Sequence, residues 1–146
     1  MDEKDKKILE ELRKDSSQTT RAIAKKTLIP ITTVHKRIKK LRDEGIIKHY
    51  TIEVDNSKLE KGLGAVIMAT LEYDALKKQN ISQKELARKI SVIEGVEKTF
   101  HITGGFDMAI VIRVKDTNEL ERFINDLKKK FDAIDRTQTM IVLSET

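Results

Sequence analysis

Apolar residues in the first third of the chain recur at helical spacing, and the polar residues between them mark helix ends. Ile8, Leu9 and Leu12 share one face, preceded by Asp2, with Glu3 and Asp5 in the first turn. That start is an acidic capping arrangement that also complements the helix dipole. Thr19 places a hydroxyl where a second helix, carrying Ala22, Ile23 and Ala24, leaves an amide without a partner. Leu28, Ile29 and Pro30 then interrupt the pattern, because proline has no amide donor and drives its predecessor out of the helical region. A third stripe follows at i, i+4 and i+7, made of Val34, Ile38 and Leu41, with Gly45 as its stop. Ile46, Ile47 and a short strand over 50–54 complete a helix-turn-helix unit of winged-helix-like form.

The rhythm changes after residue 63. Residues 64–73 are apolar and β-compatible, 82–90 place Leu86, Ala87 and Ile90 at helical spacing, and 96–103 alternate. The alternation predicts Val96, Lys98, Phe100 and Ile102 on one side of a strand. Gly104 and Gly105 mark a turn before a strand over 108–114. A helical stripe of Leu120, Phe123, Ile124, Leu127 and Phe131 and a last strand over 137–143 follow. The order βαββαβ is the ferredoxin-like arrangement, so the chain reads as α+β. Its predicted parts are a helix-turn-helix domain over 1–55, a linker over 56–63 and a ferredoxin-like domain over 64–146.

Charge gives the first part its chemistry. Of the 146 residues, 36% are charged, yet 16–42 hold no acid and eight bases: Arg21, Lys25, Lys26, Lys36, Arg37, Lys39, Lys40 and Arg42. Residues 1–55 carry 14 basic and 10 acidic groups, net +4, whereas 56–146 carry 15 and 14, net +1. Clustered Lys and Arg bind a polyanion by releasing its counterions, so the expected partner is double-stranded DNA. Thr32, Thr33, His35, Lys36 and Lys39 lie off the apolar stripe, and such a face presents hydroxyls and ammonium groups to base edges and phosphates. Thr19, Arg21 and Lys25 on the preceding helix are the expected backbone contacts. Arg37 adjoins the apolar stripe and is expected in a structural ion pair.

Other classes find little support. The chain has no cysteine, which excludes disulfides and thiolate metal sites, and His35, His49 and His101 form no ligand cluster. No cofactor or metal is expected. The sequence contains no nucleophile elbow, Walker loop, dinucleotide fingerprint or H-E-x-x-H, so no enzyme is expected. No apolar run reaches membrane-spanning length and the N-terminus is polar, so a cytoplasmic protein without membrane contact is expected.

The motifs of 1–55, taken in order, resemble the DNA-binding domain of the Lrp/AsnC (feast/famine) family: Ile8-Leu9, Leu12, Asp15, Thr19, Ile23-Ala24, Thr33-Val34, Arg37-Ile38, Leu41, Gly45-Ile46-Ile47 and Tyr50. Two positions depart from that pattern. Leu28 stands where glycine is usual, which implies either a left-handed residue at some cost or a slightly different turn. Pro30 replaces a serine cap, leaving Thr32 as the nearest hydroxyl. Thr103-Gly104-Gly105-Phe106-Asp107 before an apolar strand is similar to the family's TG-x-x-D hairpin, so the resemblance spans the chain.

The resemblance implies dimers that assemble further, up to octamers, and an amino acid or related effector near that hairpin. His101, Thr103, Gly104, Gly105, Phe106 and Asp107 are its candidate site, with glycine amides facing a carboxylate and Asp107 an α-ammonium. A plain hairpin turn capped by Asp107 is the simpler reading of the same residues. The expected function is a homo-oligomeric, sequence-specific transcription regulator, with the transcription machinery as a further partner. Two alternatives stay open: an architectural DNA-binding protein without an effector, and a small-molecule-binding domain whose basic arm is incidental.

Overall fold

The computed structural model describes residues 1–144, and of Ser57 the backbone only; the predicted domain end at residue 146 lies outside the described residues. The chain divides into two compact units, Met1–Val54 and Asp55–Thr146. In the first, helices α1 (Glu3–Lys14), α2 (Thr20–Thr27) and α3 (Ile31–Asp43) surround Ile8, Ile23, Ile29 and Val34. Leu12, Ala24 and Ile38 pack at the margin of this core, and Leu41 is buried as well.

Local chemistry explains these helix ends. At α1 the capping box is complete: the Asp5 amide donates to Asp2 Oδ1 at 3.0 Å and the Asp2 amide to Asp5 Oδ2 at 2.9 Å. At α2 the Ala22 amide donates to Thr19 Oγ1 at 3.2 Å. Leu28 ends α2 in the left-handed region, with φ 55° and ψ 31°. Pro30 precedes α3 without a side-chain cap, and its carbonyl accepts from the amides of Thr33 and Val34.

Leu28 is 90% exposed, so no buried contact repays its conformation. Replacement by glycine relieves the Cβ clash that disfavours a left-handed L-residue. Leu28→Gly is therefore expected to stabilise the first unit by about 1 kcal/mol, seen as a higher urea midpoint. A midpoint equal to or below that of the wild type would show that the leucine side chain stabilises the turn after all.

One predicted element of this unit is absent. Residues 50–54 form no strand; Tyr50, Ile52 and Val54 are exposed, and the Thr51 carbonyl accepts from Ser16 Oγ at 3.2 Å. A strand needs a hydrogen-bonded neighbour, and none is present among the described residues.

The second unit opens with a 3₁₀ turn, Asn56–Lys58, inside the predicted linker. Strands β1 (Leu63–Leu71), β2 (Val96–His101), β3 (Met108–Val114) and β4 (Ile134–Ile141) form one antiparallel sheet in the order β2-β3-β1-β4. Helices α4 (Tyr73–Lys78), α5 (Gln83–Ser91) and α6 (Thr117–Lys130) complete the ferredoxin-like unit. Ala65, Ile67 and Ala69 of β1 and Met108, Ile110 and Ile112 of β3 share its core with Leu86 and Ile90 of α5 and Leu120 and Leu127 of α6.

Three details differ from the sequence reading. β1 ends at Leu71, where α4 begins two residues on; β4 starts at Ile134 rather than 137 and ends at Ile141 rather than 143. In β2 the register shifts between Val96 and Lys98. Val96 pairs with Ile112 and Thr99 with Ile110, so these two share the core side, while Lys98 and Phe100 take the other. The predicted one-sided row of Val96, Lys98 and Phe100 is thus broken by the bulge. Thr99 Oγ1 is left buried without a hydrogen-bond partner.

Candidate nucleic-acid interface and hairpin site

Helix α3 presents three functional sides. At 3.6 residues per turn, Thr32, Lys36, Lys39 and Asp43 fall opposite the Val34, Ile38 and Leu41 stripe. Thr32, Lys36 and Lys39 are exposed and Thr33 is half-buried. The second side, with Thr33, Arg37 and Lys40, turns toward α1: Arg37 Nη1 lies 2.6 Å from Asp2 Oδ2 and 3.1 Å from Asp5 Oδ1. The third carries His35 and Arg42 and borders Thr20 at the start of α2. His35, expected along the groove face, therefore stands at its flank.

Arg37 is the structural ion pair that its position predicted. Asp5 is 2% exposed and is the only buried charged residue among those described. The amide of Asp5 and the guanidinium of Arg37 hold the Asp2 carboxyl below the usual carboxylate range. In the other direction, the same carboxylates raise Arg37 above its ordinary value against the opposing effect of desolvation.

Two further bases are also engaged inside the unit. Lys26 Nζ lies 2.6 Å from Gln18 Oε1 and 3.5 Å from Glu11 Oε2, and Lys40 Nζ lies 3.7 Å from Glu44 Oε1. Arg21 and Lys25 are exposed on α2, as expected of backbone contacts, and Thr19 is exposed with its oxygen used in the cap.

In the second unit the hairpin is closed by the Ile102 amide donating to the Asp107 carbonyl at 2.9 Å. His101, Thr103, Gly104 and Gly105 are exposed, and Phe106 and Asp107 are half-buried. Gly104 has φ +118°, a conformation that an L side chain rarely adopts, and a Cβ at either glycine would meet nothing within 4 Å. Side-chain space at the loop is thus open at both glycines.

Asp107 has partners of its own. Its Oδ2 accepts from the Leu71 amide at 2.8 Å and its Oδ1 from the Tyr73 hydroxyl at 2.8 Å. The hydrogen bond to Asp107 raises the Tyr73 phenol above its ordinary value, with burial adding to it. Sequence reasoning missed Tyr73, since nothing in its local pattern marks a residue that lies 34 positions from its partner.

Comparison with known proteins concerns the two domains that carry these candidate sites. Residues 1–48 match the family model for winged helix-turn-helix DNA-binding, and residues 66–146 match that for the Lrp/AsnC ligand binding domain. An uncharacterized HTH-type transcriptional regulator of Pyrococcus furiosus is 33% identical over 141 residues, 97% of this chain and 91% of its own. The HTH-type transcriptional regulator FL11 of the same organism is 34% identical over 98% of this chain and 89% of its own. Among solved structures, Bacillus subtilis LrpC superposes with a TM-score of 0.81 at 29% identity, covering 100% of this chain and 96% of its own. A transcriptional regulator/L-Met complex from Neisseria meningitidis shares the fold, with a TM-score of 0.84 at 24% identity over 99% of this chain and 93% of its own. The chain belongs to the Lrp/AsnC family and is a transcription regulator that joins a helix-turn-helix DNA-binding domain to a ligand-binding domain.

Proposed function

We propose that the protein acts in the cytoplasm as a homodimer or higher oligomer whose α3 helices read two half-sites about one helical turn of DNA apart. The exposed face of Thr32, Lys36 and Lys39 carries this reading. It puts a hydroxyl and two cations, without carboxylate partners among the described residues, on one side of a helix fixed from behind by Val34, Ile38 and Arg37. Thr33 contributes at its edge. Arg21, Lys25 and Thr19 meet the sugar-phosphate backbone.

Self-association is supported by the sheet face that the helices leave open. Val66 and Met68 of β1 stand there beside Val111 and Ala109 of β3 and Met140 and Gln138 of β4. Such a face is apolar at its centre and suits a second copy of itself.

Effector control is placed at the hairpin. Gly104 and Gly105 are exposed and leave room for a ligand, whose carboxylate their amides would suit, and Asp107, oriented by Leu71 and Tyr73, keeps a lone pair on each oxygen for an ammonium group. His101, Thr103 and Phe106 border the same loop. The Neisseria complex makes amino acids the first ligands to test.

Selection of bound duplexes from random DNA, run with and without an amino-acid mixture, tests both parts. A recovered pair of half-sites about one turn apart is the expected result, with recovery altered by the mixture. Recovery without any motif would favour an architectural role. A motif indifferent to every amino acid would remove the effector.

A further inference from the structure

We propose that the cleft between the start of α2 and the second half of α3 is a phosphodiester-binding site in which Arg42, Lys39 and Thr20 clamp the DNA backbone beside the groove. The inference rests on the operator-binding reading, adds Thr20 and Arg42 to it, and assigns Lys39, at the edge of the groove-facing side, to the backbone. It also gives His35 a place at the backbone rather than among the base-reading residues.

The eight bases of 16–42 fall into two classes. Lys26, Arg37 and Lys40 each have a carboxylate within 4 Å in their own unit. Arg21, Lys25, Lys36, Lys39 and Arg42 form no such pair among the described residues. A base already held by a carboxylate must give up that partner to neutralise a phosphate, so it displaces few of the DNA's condensed counterions, whereas an unpaired one displaces its full share. The class therefore decides which of the eight contribute to salt-dependent binding.

Two of the unpaired bases converge on a concave surface. Thr20, His35, Ile38, Lys39, Arg42 and Asp43 line a cleft of about 410 Å³. His35, Lys39 and Arg42 follow one another at i, i+4 and i+7, a stripe one position round the helix from the buried Val34, Ile38 and Leu41. Ile38, half-buried, lines the same cleft, so the exposed cations stand beside an apolar wall. Asp43 lines the same cleft and forms no ion pair with either cation. Two cations sharing a cleft repel each other unless an anion joins them. A phosphodiester fits, because its two free oxygens match the planar fork of Arg42 while Lys39 and the Thr20 hydroxyl donate from the other walls.

Backbone contacts fix register but carry no sequence information, which sets this cleft apart from the Thr32 and Lys36 face. The test is binding of the full-length protein, over a series of salt concentrations, to a duplex carrying selected half-sites and to a scrambled duplex of equal length. For Arg42→Ala we expect about tenfold weaker binding to both duplexes and a salt slope shallower by about 0.9. Lys26→Ala and Lys40→Ala are expected to keep the wild-type slope. Arg42 is exposed and unpaired, so its variant is expected to melt as the wild type does, and Arg42→Lys to regain most of the slope. A wild-type slope in Arg42→Ala, or a loss confined to the half-site duplex, would overturn the proposal. If the wild type itself bound the two duplexes equally, the operator reading would fall instead.

Discussion

Asp5→Ala is expected to destabilise the DNA-binding unit by about 3 kcal/mol, although Asp5 touches no groove-facing residue. Two losses add. The Asp2 amide loses the acceptor that completes the capping box, and Arg37 loses the buried member of its carboxylate pair. What remains to Arg37 is Asp2, whose side chain is half exposed. A unit of this size has little stability to spare, so the melting midpoint of its transition should fall by about 15 °C. Asp5→Asn retains an oxygen for the cap and should lose less. Hydrogen exchange at the Ile8 and Val34 amides of the full chain would report the change, and unaltered protection in Asp5→Ala would show that the pair contributes nothing to the fold. Acid should act on the same contacts. The Asp2 carboxyl is depressed in the folded state, so its stabilisation is present above the ordinary carboxylate range and drains as the pH falls through the depressed value.

That pair also shows how far the sequence could be read. The three helices were legible because each carries its own start signal: Asp2 and Asp5, Thr19, and the proline that ends the turn. Leu28 was marked as a candidate left-handed residue only by the resemblance, since it stands where the family pattern has glycine. Arg37 could be assigned a structural role from its place beside the stripe, but Asp5, 32 residues away, could not be named as its partner. Where a feature depends on distant chain, the pattern misled. The alternation through Val96, Lys98 and Phe100 carries no trace of the bulge, which is set by pairing with β3. Residues 50–54 alternate like a strand, yet an edge with nothing to pair with is not one. In the candidate sites, the basic run marked the proposed DNA face at once. Which of its members were already neutralised became visible only with Glu11, Glu44, Asp2 and Asp5 in position.

Val66→Asp is the change expected to cost the most in DNA binding while lying far in sequence from the helix-turn-helix. Val66 is at the middle of the open sheet face, paired across β1 with Val111 on one side and Met140 on the other. No lysine or arginine stands directly opposite it, so a carboxylate there has no partner to neutralise it. In a monomer that carboxylate meets water, and the fold loses only the difference in strand preference, about 1 kcal/mol. Between two such faces it would have to be buried unpaired, at several kcal/mol for each copy. Val66→Asp is therefore expected to sediment as a monomer with the ligand-binding unit still folded, whereas Val66→Thr keeps a branched side chain and should still associate. A protein that places two α3 helices on one operator gains affinity from their linkage, commonly by a hundredfold or more. Loss of that linkage should leave Val66→Asp with single half-site binding, at least about a hundredfold weaker on a two-site duplex and little changed on a duplex with one half-site. If Val66→Asp remains oligomeric in sedimentation, the open face is not where the copies meet.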